Sequence, residues 1–159
     1  KYHWSYQVLI PGYNYRMSDL NCALGYSQLK KIDYIINKRK KIASYYTEKL
    51  RNISEILTVP SMKECSRSAW HLYIININFK KSKLSRDMFI NKLYSKGIIT
   101  QVHYIPTFYF KAHGELKKYS YINAKKYFNN SLSLPIFYEL NKKQQDKVIN
   151  FVKKNLIIS

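Results

Sequence analysis

Acidic residues are scarce in this chain: nine Asp and Glu stand against 28 Lys and Arg among 159 residues, a formal net charge of +19. So few carboxylates leave no pair placed for general acid and base work, and no Ser/His/Asp set. With four glycines there is no glycine-rich phosphate loop. The two cysteines, Cys22 and Cys65, give neither a disulfide framework nor a paired metal motif. No His or Cys pair has ligand spacing on a common helix or turn, so no metal is expected. Such thiol usage suits a reducing cytoplasm. No apolar run is long enough to span a membrane and no charged-then-apolar leader opens the chain, so no membrane association is expected. Internal repeats and low-complexity tracts are missing as well.

The excess of positive charge invites a nucleic-acid reading, because phosphate binding with counterion release needs dense Lys and Arg. Here the lysines are scattered over every segment, beside many Ile, Asn and Tyr, as an AT-rich genome would produce. A solvated basic surface is therefore expected, and no nucleic-acid partner. A basic binding module would instead show a clustered face and an affinity that falls steeply with salt.

The length suits one domain with a proper core and is too short for a large domain plus a small one. Residues 1–11 are aromatic and apolar without clean period, and Pro11 favours an extended approach to the next segment. That segment is Gly12-Tyr13-Asn14-Tyr15-Arg16-Met17-Ser18-Asp19-Leu20. It reads as a polar loop ending at a helix N-cap, with Ser18 as the cap, Asp19 in the first turn, and Leu20, Ala23 and Leu24 on one face. Free backbone N–H groups and a partial positive charge gather at such a junction, and Asn14 and Arg16 add side-chain donors, which suits a phosphate. Apolar residues then continue at Leu29, Ile32, Ile36, Ala43, Tyr46, Leu50 and Ile53, predicting one long amphipathic helix with any bend at Gly25. A helix of that length is expected to cross more than one structural unit. Lys38, Arg39, Lys40 and Lys41 form its exposed basic face.

Further along, residues 56–59 predict a short strand stopped by Pro60, and 61–68 a polar loop. Residues 70–79 alternate, placing Tyr73, Ile75, Ile77 and Phe79 on a buried side. Ser85 caps a helix whose inner stripe is Phe89, Ile90, Leu93 and Tyr94, ended by Gly97 in a left-handed position. Residues 98–104 predict a strand beside the one at 70–79. Residues 105–120 form an irregular loop of a length usually kept for function. A helix over 121–130 is expected to turn Ala124, Tyr127 and Phe128 inward, and 131–138 to be extended around Pro135. Asn141 and Gln144 make a capping box for a last helix buried through Val148, Ile149, Val152 and Leu156. The fold class is α+β.

The Gly12–Leu20 string resembles the G-Y-N-[YFS]-R-[ML]-[ST]-[DE] segment of the DegT/DnrJ/EryC1/StrS sugar aminotransferases. The likeness continues in order through Ser68-Ala69-Trp70-His71-Leu72-Tyr73, Lys96-Gly97-Ile98-Ile99-Thr100-Gln101-Val102-His103-Tyr104-Ile105-Pro106 and Ser131-Leu132-Ser133-Leu134-Pro135. It covers nearly the whole chain but only the C-terminal part of such an enzyme. The resemblance implies the small α+β domain of the fold type I pyridoxal phosphate enzymes, entered by a long helix. Residues 1–28 would be the tail of the large cofactor domain with its interface loop and helix, and 29–159 the small domain. It further implies a homodimer acting on a nucleotide-linked 4-keto-6-deoxy sugar with glutamate as amino donor, in the branch that handles UDP-linked N-acetyl-hexosamines.

Pyridoxal phosphate chemistry needs a Schiff-base lysine, an acidic partner for the pyridine nitrogen and donors for the phosphate. No lysine here sits in the family's Schiff-base context, which lies upstream, so no catalytic residue is expected and the chain alone should be inactive. Asn14 matches the residue that reaches the neighbouring subunit's cofactor phosphate; by residue chemistry alone an Asn chosen for a positive-φ turn is the favoured reading, and the surrounding block reverses that. Arg16 serves either phosphate groups or a pairing with Asp19. His103 and Tyr104 end a strand and open onto the long loop, where they contact substrate or act structurally; the second histidine common in the family is replaced here by the Thr107-Phe108-Tyr109 neighbourhood. His71 reads as a hydrogen-bonded core residue, and His3 and His113 have no partner that spacing suggests. A non-catalytic folded remnant is the alternative reading of the whole.

Overall fold

A computed structural model describes residues 7–61, 67–118 and 120–156. The segment 2–6, Cys65 and most of the 61–68 loop lie outside the described residues. The chain divides into two units, Lys1–Asp33 and Tyr34–Ser159.

In the first unit, residues 7–18 form neither helix nor strand, and helix α1 (Asp19–Leu29) follows the Ser18 cap. None of its residues is buried. The single long helix expected here is two: α2 (Ile32–Leu50) starts afresh after a break at Lys30 and Lys31, not at Gly25. At the break the backbone changes from the Lys30 N–H bonded to the Tyr26 carbonyl (3.3 Å) to the Lys31 N–H bonded to that of Gln28 (3.0 Å). The apolar spacing shows why: from Leu24 to Leu29 is a step of five, which throws the stripe out of phase with the three-and-four rhythm on either side.

The second unit has a three-stranded antiparallel sheet in the order β1 (Leu57–Thr58), β2 (Tyr73–Ile77), β3 (Ser131–Leu134). Helices α3 (Arg86–Ser95), α4 (Ile122–Asn130) and α5 (Lys142–Leu156) complete it. The register pairs Leu57 with Ile77, Ile75 with Leu132 and Tyr73 with Leu134, so one face of the sheet is wholly apolar. Ile42, Tyr46 and Leu50 of α2, Phe89 and Leu93 of α3, and Val148 and Val152 of α5 join that face in one core. Ring contacts tie the elements together, Tyr46 to Tyr73 at 5.1 Å and Phe89 to Phe151 at 5.7 Å. The opposite face is polar, with Thr58, Asn76 and Ser131 in a row across the three strands and Ser133 facing Ile74.

Local signals were met where they are chemically complete. The Ser85 hydroxyl accepts from the Met88 N–H (3.2 Å). At the other end of α3, Gly97 takes φ 69° while its N–H and that of Ile98 bond back to Tyr94 and Leu93 at 2.8 and 3.0 Å. This is the paired bonding of a Schellman stop, with Ile98 and Leu93 both in the core. Asn141 and Gln144 exchange side-chain-to-backbone bonds of 2.9 and 3.0 Å at the start of α5.

Four expectations are corrected. Tyr94 is 71% exposed, because five residues carry it about 140° round the helix from Phe89, past the edge of the buried stripe. Residues 98–104 are no strand beside β2; they touch the far side of β3 at one bridge, Gln101 opposite Ser133. In that register the next bonded pair would set residue 99 against Pro135, which has no N–H, and residue 103 against Ser131, where α4 has just ended. Helix α4 turns no residue into the core; Asn123, Lys126, Tyr127 and Asn130, at helical spacing, line a cleft of about 420 Å³ with Asn76 and Asn78. The 105–120 loop is not wholly irregular, since Thr107–Tyr109 and Lys111–Lys118 wind as 3-10 turns.

Two tyrosines give this unit an alkaline limit. Tyr46 donates to the Pro135 carbonyl (3.1 Å), and Tyr73 shares a bond with the Thr47 hydroxyl (2.9 Å). Burial raises both phenols, Tyr46 strongly and Tyr73 to about 12 against an ordinary 10.0. With the folded value above the unfolded one, stability is unaffected below the unfolded pKa and falls as pH rises through the folded one. Unfolding free energies from urea melts, measured from about pH 9 upward, should therefore hold until about pH 10 and then drop by about 1.4 kcal/mol per pH unit for each of the two phenols. Tyr73→Phe should soften that drop, and an equally steep fall in this variant would show that another group is responsible.

Candidate functional site

The loop before α1 is organised by Asn14. Its Oδ1 accepts the Arg16 N–H at 3.1 Å, a local turn that fixes the amide plane. The positive-φ alternative is set aside, since among the described residues the non-glycine positions with positive φ are Asn52 and Trp70. The Asn14 NH₂ stays uncommitted among the described residues, and Asn14 is exposed. Arg16 makes no ion pair with Asp19 among the described residues, so its planar fork is free too. Two residues on, the Ser18 hydroxyl accepts from Asn21 N–H (3.4 Å) and its carbonyl from Cys22 N–H (2.9 Å). The Asp19 and Leu20 amides before them have no intrahelical acceptor to bond. Neutral amide, guanidinium and free N–H groups thus lie within a few residues, a donor set suited to a phosphate dianion.

The flanks of this loop are apolar and uncovered: Leu9, Ile10, Tyr13, Tyr15 and Leu20 are each 80% or more exposed. Cys22 is exposed as a free thiol.

In the second unit His103 is half-buried and Tyr104 is 70% exposed. The His103 Nδ1 lies 2.7 Å from the Ser133 hydroxyl, and the Tyr104 ring stands edge-on to the imidazole at 4.6 Å. In the neighbourhood that replaces a second histidine, Phe108 and Tyr109 make ring contacts: Phe108 is buried and stacks on Tyr121 at 4.6 Å. His71 is exposed, not a core residue, because the chain turns through Trp70 with φ 47° before β2 begins at Tyr73. His113 lies 4.0 Å from Glu115, a neighbour two residues away. Among the described residues no three His, Cys, Asp or Glu side chains gather as a metal site would need.

Ser133 was missed by sequence reasoning. Its signal was there in Ser131-Leu132-Ser133-Leu134, whose alternation puts both serines on the face away from the core.

Several known proteins are similar to nearly the whole of this chain. A UDP-4-amino-4,6-dideoxy-N-acetyl-beta-L-altrosamine transaminase of Campylobacter jejuni is 36% identical over 157 residues, covering 96% of this chain and 39% of that protein. Among solved structures, Helicobacter pylori PseC, an aminotransferase involved in the biosynthesis of pseudoaminic acid, superposes with a TM-score of 0.84 at 26% identity, covering 98% of this chain and 42% of that one. A sugar aminotransferase of Streptococcus pneumoniae in its PLP form gives a TM-score of 0.82 at 26% identity, covering 98% and 40%. The chain spans about 40% of the length of the curated relatives it matches. The profile of one family, the DegT/DnrJ/EryC1/StrS aminotransferases, matches residues 1–153, and this chain belongs to that family.

Proposed function

We propose that this chain is the C-terminal part of a pyridoxal phosphate-dependent aminotransferase that moves an amino group from glutamate to a nucleotide-linked 4-keto-6-deoxy sugar, as a cytoplasmic homodimer. The observation that carries the reading is the match to the altrosamine transaminase, which runs through both units and so includes the Asn14 loop and the His103 segment. Bound cofactor would supply the carbonyl that accepts and releases the amino group. The chain's own part is to bind and orient. Asn14, through its uncommitted NH₂, and Arg16 hold the cofactor phosphate of the neighbouring subunit, while Ser18 caps the helix whose first amides add further donors. His103 and Tyr104 offer a ring nitrogen and a phenol to the sugar nucleotide. The reactive lysine and the acidic partner of the pyridine belong to polypeptide upstream, so residues 1–159 alone are inactive. The uncovered apolar flanks of the loop fit this reading, as a surface that upstream and neighbouring polypeptide would cover.

The test is to combine the chain with a matching N-terminal half and assay cofactor absorbance and amino-sugar formation. Both should appear in the mixture and in neither part alone. A well-folded mixture that binds no cofactor would favour the other reading, a non-catalytic remnant.

A further inference from the structure

The Ser133 hydroxyl is 2.7 Å from His103 Nδ1, and the backbone around it is built to keep that distance. Ser133 N–H donates to the Gln101 carbonyl at 2.8 Å and the Gln101 N–H returns to the Ser133 carbonyl at 3.4 Å, so the strand clamps the segment two residues before His103. The Tyr104 ring, edge-on to the imidazole at 4.6 Å, adds a second contact to it. Ser133 itself is 4% exposed.

The direction of the bond is set by the options that burial leaves for the hydroxyl hydrogen. If Nδ1 carried the ring proton it would donate to Oγ, and the serine hydrogen would be buried without an acceptor among the described residues. An unsatisfied buried donor is the costlier error. If the hydroxyl donates to Nδ1 instead, the buried serine hydrogen is used and the neutral ring must carry its proton on Nε2, left free to donate.

We propose that Ser133 is a positioning residue: its hydroxyl donates to His103 Nδ1 and fixes the Nε2–H tautomer, making His103 a standing N–H donor to an oxygen of the sugar nucleotide. The tautomer and the pairing stand on geometry alone, whereas the substrate half rests on the aminotransferase reading above. Ser131 supplies the internal control. It lies on the same strand and the same face, is equally buried, and its hydroxyl is turned to the Phe128 carbonyl at 3.4 Å.

Nitrogen-15 correlation spectra of the imidazoles in the full chain, recorded at alkaline pH and with the His103 signals identified by their loss in His103→Gln, read the tautomer directly. The expected spectrum has Nδ1 unprotonated and Nε2 protonated in wild type, averaging of the two in Ser133→Ala, and no change in Ser131→Ala. A wild-type proton on Nδ1, or an equal effect of the two alanine variants, overturns the pairing. In the reconstituted enzyme Ser133→Ala should raise KM for the sugar nucleotide about tenfold, with kcat and cofactor retention unchanged. An unchanged KM beside a lost tautomer would overturn the substrate half alone. Because the spectra need no activity, failure of the pairing and failure of the aminotransferase reading are seen separately.

Discussion

Phe89→Ala should destabilise the second unit by about 3–5 kcal/mol, a large share of the ~5–15 kcal/mol available to a typical domain. Phe89 is fully buried, and its ring meets Phe151 of α5 at 5.7 Å and Phe79 beyond β2 at 6.1 Å. Removing it opens a void where α3, α5 and the sheet converge, and the neighbours are too well packed to close it. The urea midpoint should fall sharply at an unchanged slope. Tyr94→Ala on the same helix should shift stability by less than about 0.5 kcal/mol, since that ring is 71% exposed. Equal losses in the two variants would mean that α3 is seated differently, with its stripe turned toward Tyr94.

The second large effect is expected at Asn14, in the enzyme reconstituted with its N-terminal half. A hydrogen bond to a charged group is worth about 1.5–3 kcal/mol, so Asn14→Ala should weaken cofactor retention by about 10- to 150-fold. Alanine also removes the acceptor for the Arg16 N–H, so on its own it does not separate the turn from the phosphate contact. Asn14→Asp does. A carboxylate keeps the acceptor for Arg16 and can preserve the turn, while exchanging an NH₂ donor for a charge that repels phosphate. Retention should therefore be worse in Asn14→Asp than in Asn14→Ala. Wild-type retention by Asn14→Asp would reduce the residue to a turn former and remove it from the cofactor site.

The two units differ in composition in a way the residues explain. The first unit has donors and uncovered apolar side chains but no buried residue in its helix, so it has the make-up of a surface meant to be covered. The second has the core and, on the sheet face turned away from it, Thr58, Asn76, Ser131 and Ser133, the last bonded to His103. A sheet that buries leucines and isoleucines on one side by alternation turns the residues between them to the other. Here those positions carry hydrogen-bonding groups.

Much of this was legible in the order of residues. The Ser18 and Ser85 caps, the Gly97 stop, the Asn141–Gln144 box and the alternation of β2 are local, each complete within a few neighbouring residues. The family blocks were legible for a related reason, since each is a short string of particular side chains. The α+β class came from adding these pieces.

What the tertiary structure decided is whatever depends on a partner far away along the chain. Residues 98–104 have the composition of a strand, but a strand needs a facing ladder, and theirs is cut short by Pro135 and the end of α4 to the one bridge at Gln101. Tyr94 and Ala124 satisfy helical spacing yet stay outside, because the width of a buried stripe is set by what packs on it. The Ser133–His103 bond joins positions thirty residues apart, and no local rule connects them. Sequence determined the elements, their caps and the family because those are short-range properties of covalent neighbours; folding alone decided the sheet edge, the inward faces and the hydroxyl that holds His103, because hydrogen bonds and packing are made between surfaces that only meet once the chain is closed.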